Sequence, residues 1–173
     1  MTSPTRGPRE EVIRAVARRV RREAAARYRT MGLIALAVIA ADQIVKAIIR
    51  ATIRPGETIE VLPGIDLANT LNRGIAFGLF PGNRGLVAVL TLVAIAVIAT
   101  LLVGFAGRHG LVPIGGGLLV GGSLGNLIDR IAQGGVTDYI AIGAWPPFNV
   151  ADIGVVTGAA LLVLAIALSG SDE

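Results

Sequence analysis

The sequence predicts an all-α membrane protein in which four transmembrane helices carry a small extracytoplasmic β layer. Three observations lead to that class. Hydrophobic residues make up 53% of the 173 and the mean hydropathy is +0.71, too apolar for a soluble domain of this length. Only 16% of residues are charged, too few to coat a soluble surface. The charge is also bunched, with nine of the fifteen arginines lying between Arg6 and Arg29, ahead of the first apolar run. A basic flank beside an apolar segment holds an N-terminus on the cytoplasmic side.

The same distribution argues against nucleic acid as a partner, despite a net charge of +4 and a pI near 10.6. Only Tyr28 accompanies the arginine block as an aromatic. With no cysteine, disulfides, thiolate nucleophiles and cysteine metal sites are excluded. His109 is the single histidine, so a multi-histidine metal centre is excluded too. No metal and no cofactor are expected, and His109 reads as a solvated loop residue.

Residues 1–29 form an Arg-rich cytoplasmic extension. From Glu10 to Tyr28 it has helical character, with Val12, Val16, Val20 and Ala24 in a narrow i+4 stripe. It is expected to lie near anionic headgroups, and it does not read as a cleavable signal peptide. The four-helix domain occupies 30–169, with a short tail at 170–173. The first span, Met31 to Ile49, is long enough for the ~30 Å hydrocarbon core. Between Arg50 and Arg84, Pro55-Gly56, Pro63-Gly64 and Pro81-Gly82 signal turns. Thr58–Leu62 and Ile65–Leu71 have β character there. The second span, Gly85 to Gly107, is free of charge. The third, about Leu111 to Ile128, is rich in glycine, which lets helices approach closely in a bilayer. Ile131 to Phe148 form a second extracytoplasmic connection containing Trp145-Pro146-Pro147, and the fourth span runs from about Asn149 to Leu168. Both termini are then cytoplasmic.

Ionisable groups at span ends are functional candidates, because each is costly in a bilayer unless paired or solvated. In this topology Asp42 and Lys46 (span one), Asn126, Asp129 and Arg130 (span three), and Asn149 and Asp152 (span four) reach one face. Asp138 lies in the adjoining connection. Asp42 and Lys46 are i,i+4 and neutralise one another, which favours a structural role. Asn126/Asp129 and Asn149/Asp152 are i,i+3, so each pair points one way. Asp129-Arg130 also reads as a span-end ion pair, and Asn149 as a helix cap. Asp152 lies too deep in an apolar segment to be idle. Asp138 read alone is equally a loop residue. Two adjacent carboxylates tend to share one proton, leaving a base and an acid at one site. Such a pair can activate water against a carbonyl without metal or covalent intermediate. The competing reading is a non-enzymatic small transporter or assembly subunit. It expects ionisable groups along the whole membrane depth, whereas these gather at one face.

Together the segments Asp42-Gln43-Ile44-Val45-Lys46, Asn72-Arg73-Gly74-Ile75-Ala76-Phe77-Gly78, Gly121 through Arg130, Val136-Thr137-Asp138-Tyr139-Ile140 and Phe148-Asn149-Val150-Ala151-Asp152 resemble the lipoprotein signal peptidase (signal peptidase II) family over residues 31–168. The resemblance implies an aspartic endopeptidase of the bacterial cytoplasmic (inner) membrane, with its active site on the extracytoplasmic side. It implies cleavage of prolipoproteins before a diacylglyceryl-modified cysteine, and inhibition by globomycin. Asp138 and Asp152 would be the catalytic dyad. Asn126, Asp129, Arg130 and Asn149 would support the site, Asn72 would lie in the substrate-contacting layer, and Asp42 and Lys46 would stabilise the fold near it. Partners would be the prolipoprotein and membrane lipids, and the protein would act as a monomer. Tyr139 stands where the family often has phenylalanine, a change expected to be harmless.

Overall fold

The structure, a computed structural model, describes residues 7–74 and 109–169. The predicted second span at 85–107, Pro81-Gly82 and Arg108 lie outside the described residues. Three described helices are long and apolar enough to cross a membrane.

Helix α1 runs from Pro8 to Thr52, 45 residues. At 1.5 Å per residue it is about 67 Å long, more than twice the hydrocarbon core. Proline at its start is tolerated because the first N–H groups have no intrahelical partner. One continuous helix therefore contains both the Arg-rich segment and the first predicted span. Helix α2 spans Leu111–Gln133 and helix α3 spans Val150–Ser169.

Helix α2 lies between the other two. Its glycines make this possible. A Cβ on Gly121 would come within 2.7 Å of the Ala35 carbonyl of α1, and one on Gly122 would strike the Ala151 carbonyl of α3. Backbones this close gain dispersion contacts that larger side chains would prevent. Helix α2 runs about a turn past its predicted end and stops at Gly134. That residue adopts φ 68° and donates its N–H to the Arg130 carbonyl at 3.1 Å. This left-handed conformation suits glycine and turns the chain into a strand.

Four antiparallel strands form one sheet in the order β1 (Thr58–Leu62), β2 (Ile65–Asn72), β3 (Val136–Ile142), β4 (Trp145–Phe148). The first two follow the sequence expectation. The other two lie where the sequence suggested only a connection. Pro146 and Pro147 fit because β4 is an edge strand and its pairing with β3 is irregular where they fall, between Trp145 opposite Ile142 and Phe148 opposite Ile140. The sheet sits at the C-terminal ends of α1 and α2 and the N-terminal end of α3. Ile49, Ile53 and Tyr139 form an apolar seal there, packed by Val45, Leu67, Ile140 and Val150. Asn69 of β2 donates to the Ile53 carbonyl at 2.8 Å, satisfying a helix-end acceptor of α1.

Candidate active site

The first turn of α3 organises the site. A helix start leaves its early N–H groups without intrahelical partners. Here each of four successive groups meets a side chain. The Asn149 N–H donates to Asp152 Oδ2 at 3.2 Å, and the Asp152 N–H donates to Asn149 Oδ1 at 2.9 Å. This is a reciprocal capping box, with aspartate in the place usually held by glutamate. Between them, the Val150 N–H donates to the Tyr139 hydroxyl at 3.1 Å and the Ala151 N–H to Asp42 Oδ1 at 3.0 Å. The i,i+3 spacing of Asn149 and Asp152 is thus the spacing of a cap, and capping fixes the Asp152 carboxylate.

Lys46, fully buried, is the hub behind this turn. Its ammonium lies 2.8 Å from Asp42 Oδ2 and 3.3 Å from Asp129 Oδ2. It also donates to Asn126 Oδ1 at 3.0 Å. That bond decides which way the Asn126 amide points, since a cation can face only the carbonyl end. The amide nitrogen is left to donate to Asp152 Oδ1 at 2.7 Å. Asn126 Oδ1 accepts a second bond from Asn149 Nδ2 at 3.2 Å, which orients Asn149 in turn. Asn149 Nδ2 also reaches Asp138 Oδ1 at 2.7 Å. One ammonium thereby sets the orientation of two amides and, through them, of two carboxylates.

Asp138 enters from the middle of the sheet. Its other oxygen, Oδ2, accepts a bond from Asn72 Nδ2 at 3.1 Å. The β2–β3 pairing brings these residues together, with Thr70 opposite Asp138 and Asn72 opposite Val136. Burial pushes the Asp138 carboxyl up to about 6. The like charge of Asp152 adds to the rise, and the bonds from Asn72 and Asn149 oppose it. Burial likewise pushes the Tyr139 phenol up to about 12, so its hydroxyl remains a neutral partner for α3. Asn72, Asp138 and Asp152 border a cavity of about 460 Å³. Its walls are Trp145 to Phe148 of β4 on one side and Ile153, Val155, Val156 and Thr157 of α3 on the other.

The candidates drawn from the sequence therefore gather at one end of the bundle. Asp42 and Lys46 lie in the buried network, as does Asp129, which accepts the Thr137 N–H at 2.9 Å. Arg130 has no salt bridge within 4.0 Å among the described residues. Its charge acts at longer range on Asp129, Asp138 and Asp152, and its buried Nε lacks a hydrogen-bond partner. Four participants had no role assigned from sequence: Gln43, Arg50, Thr137 and Tyr139. Gln43 Nε2 contacts Gly125 O, Asp42 Oδ2 and Asp129 Oδ1 at 3.1–3.2 Å. Arg50 reaches Thr137 Oγ1 at 3.1 Å and Asp129 Oδ1 at 3.5 Å. The i,i+4 series Asp42, Lys46, Arg50 was the available signal for Arg50. Tyr139 is the fourth, and its hydroxyl makes a bond that phenylalanine lacks.

Helices apolar enough to cross a membrane end beside a cavity bordered by Asp138 and Asp152, and the family match gives the class, a membrane aspartic endopeptidase. The family described as signal peptidase (SPase) II matches residues 34–168, and the chain belongs to it. The lipoprotein signal peptidase of Halothermothrix orenii is 43% identical over 133 residues, 76% of this chain and 91% of that protein. The lipoprotein signal peptidase of Pelotomaculum thermopropionicum is 39% identical over 145 residues, 82% and 93% of the two chains. A bacterial membrane enzyme solved by the in meso method at 2.3 Å resolution superposes with a TM-score of 0.72 at 31% identity. That match covers 83% of this chain and 91% of the other.

Proposed function

We propose that the chain removes signal peptides from prolipoproteins by hydrolysing the bond before a diacylglyceryl-modified cysteine, with Asp138 and Asp152 as its catalytic pair. The observation that carries this reading is the single Asn149 side chain bonded to Asp138 while capping the turn that holds Asp152.

The two environments suggest different roles. Asp152 sits in the first turn of α3, where the helix dipole favours negative charge. It is the base that takes a proton from water. Asp138, whose burial favours the neutral form, holds the proton that passes to the scissile carbonyl oxygen as water oxygen bonds to the carbonyl carbon. Collapse of the tetrahedral species breaks the C–N bond. The amine leaves with the proton from Asp152, and Asp138 recovers its own from a hydroxyl of the tetrahedral carbon. Asn126 and Asn149 hold both carboxylates without supplying a neutralising charge, and Asn72 holds Asp138 from the sheet. Arg130 adds positive potential nearby. The apolar walls of β4 and α3 suit the side chains next to the scissile bond.

In this reading the site faces the extracytoplasmic side of the bacterial inner membrane, with both termini cytoplasmic and the protein acting as a monomer. The lipid-modified cysteine keeps its acyl chains in the bilayer, so the scissile bond lies near the interface where these helices end. The test is cleavage of a diacylglyceryl-modified prolipoprotein peptide by purified protein in detergent, read by mass spectrometry. A product beginning at the lipidated cysteine, abolished by globomycin, is the expected result. Cleavage elsewhere, or of the unmodified peptide equally well, would contradict the substrate assignment.

A further inference from the structure

The site makes no use of the first half of α1. Residues 9–29 carry eight arginines against three glutamates, a net charge of +5. At 3.6 residues per turn, each i+4 step advances only about 40° around the helix. Val12, Ile13, Val16 and Val20 therefore share one side, which Ala24 and Tyr28 continue, and Arg14, Arg18, Arg21, Arg22 and Arg29 fall on the other; Arg9, Glu23 and Arg27 interrupt the apolar side at its two ends. Val12, Ile13, Val16 and Val20 are 56–67% exposed, although the helix around them is the most highly charged part of the chain.

A second feature lies where this segment meets the span. Gly117 and Gly121 sit where a Cβ would strike α1, but a Cβ on Gly32 would meet nothing within 4 Å. No close packing requires glycine there. Its effect is local, since glycine weakens a helix by its conformational freedom. It stands three residues after Arg29.

Three occupants are conceivable for this face. A second copy paired along the stripe would bring two segments of charge +5 together. Nucleic acid would bind the arginines and leave the valines and Ile13 in water. An anionic lipid surface accommodates both faces, with the apolar side in the acyl boundary and the arginines at headgroup phosphates. We propose that residues 9–29 form an arm that bends at Gly32 and lies along an anionic membrane leaflet. The arm holds the cytoplasmic end of α1 at a fixed depth, and this role does not depend on which residues do the peptidase chemistry.

Because the chain has no cysteine, one nitroxide can be placed on the full-length protein as Val16→Cys or Arg18→Cys. Each is reconstituted in nanodiscs of phosphatidylcholine, with or without phosphatidylglycerol. With phosphatidylglycerol, the label at position 16 is expected to become several-fold more accessible to oxygen than to a water-soluble nickel chelate, while that at 18 stays aqueous. High salt should reverse the shift, because it screens the arginines, and Gly32→Ala should weaken it. As a label-free check, trypsin should cut the unmodified chain after Arg14 to Arg22 several-fold more slowly when phosphatidylglycerol is present. Equal cutting rates and an aqueous label at position 16 in both lipids would overturn the proposal. So would protection that requires added oligonucleotide, or dipolar broadening that shows two copies paired through the arm.

Discussion

Asp42 and Asp129 are matched by cations, whereas Asp138 and Asp152 are matched by amides. The first pair shares Lys46, with Arg50 adding to Asp129, and neither residue borders the cavity. The second pair is held by Asn72, Asn126 and Asn149, with no salt bridge within 4.0 Å among the described residues, and both residues border the cavity. A salt bridge fixes a carboxylate and also commits its charge. An asparagine fixes its direction and leaves its proton chemistry available. The two pairs meet through Asn126, which accepts from Lys46 and donates to Asp152, yet only one of them is matched by charge, because buried cations cost too much to leave unpaired while neutral amides do not.

Lys46→Met leaves two buried carboxylates without their shared cation and frees the Asn126 amide to turn. A loss of about 3–5 kcal/mol is expected, measured as a shift in denaturant midpoint in detergent. A loss below about 1 kcal/mol would mean that the network holds without its hub.

A second prediction separates the pairs by pH. The folded protein keeps the Asp138 proton up to about pH 6, whereas an unfolded chain releases it near 3.8. The folded state therefore binds more protons in that window, and stability falls as pH rises through it. The fall should be about 3 kcal/mol, and Asp138→Asn should lack it. Parallel pH profiles for the two proteins would remove the protonated Asp138 from the account.

The smallest expected effect is at Tyr139. Tyr139→Phe leaves the Val150 N–H without its partner at a buried helix start, a cost of about 1–2 kcal/mol. The sequence comparison with phenylalanine suggested no cost. Unchanged stability would support that simpler view.

Much of this was legible in short-range spacing. Asp42/Lys46, Asn126/Asp129 and Asn149/Asp152 are one helical turn apart, and helix geometry alone puts each pair on one face. The Asn72–Asp138 bond was not legible from spacing. It joins residues 66 apart and depends on the β2–β3 register. Strand β3 was hidden because Val136 to Tyr139 are all buried, which erases the alternation that marks a half-exposed strand. Strand β4 was hidden by its two prolines, whose tolerance depends on an edge position that sequence does not show. The uncharged stretch at 85–107 lies outside the described residues.

The most direct measurement is the cleavage rate of Asp138→Asn, Asp152→Asn and the double variant on a diacylglyceryl-modified prolipoprotein peptide, using protein confirmed as folded by its unfolding midpoint. Residues that act as one unit are not additive. Each single variant should lose at least about 10³-fold, and the double variant should be no slower than the singles. Wild-type cleavage by either single variant would contradict the assignment of the amide-held pair to catalysis.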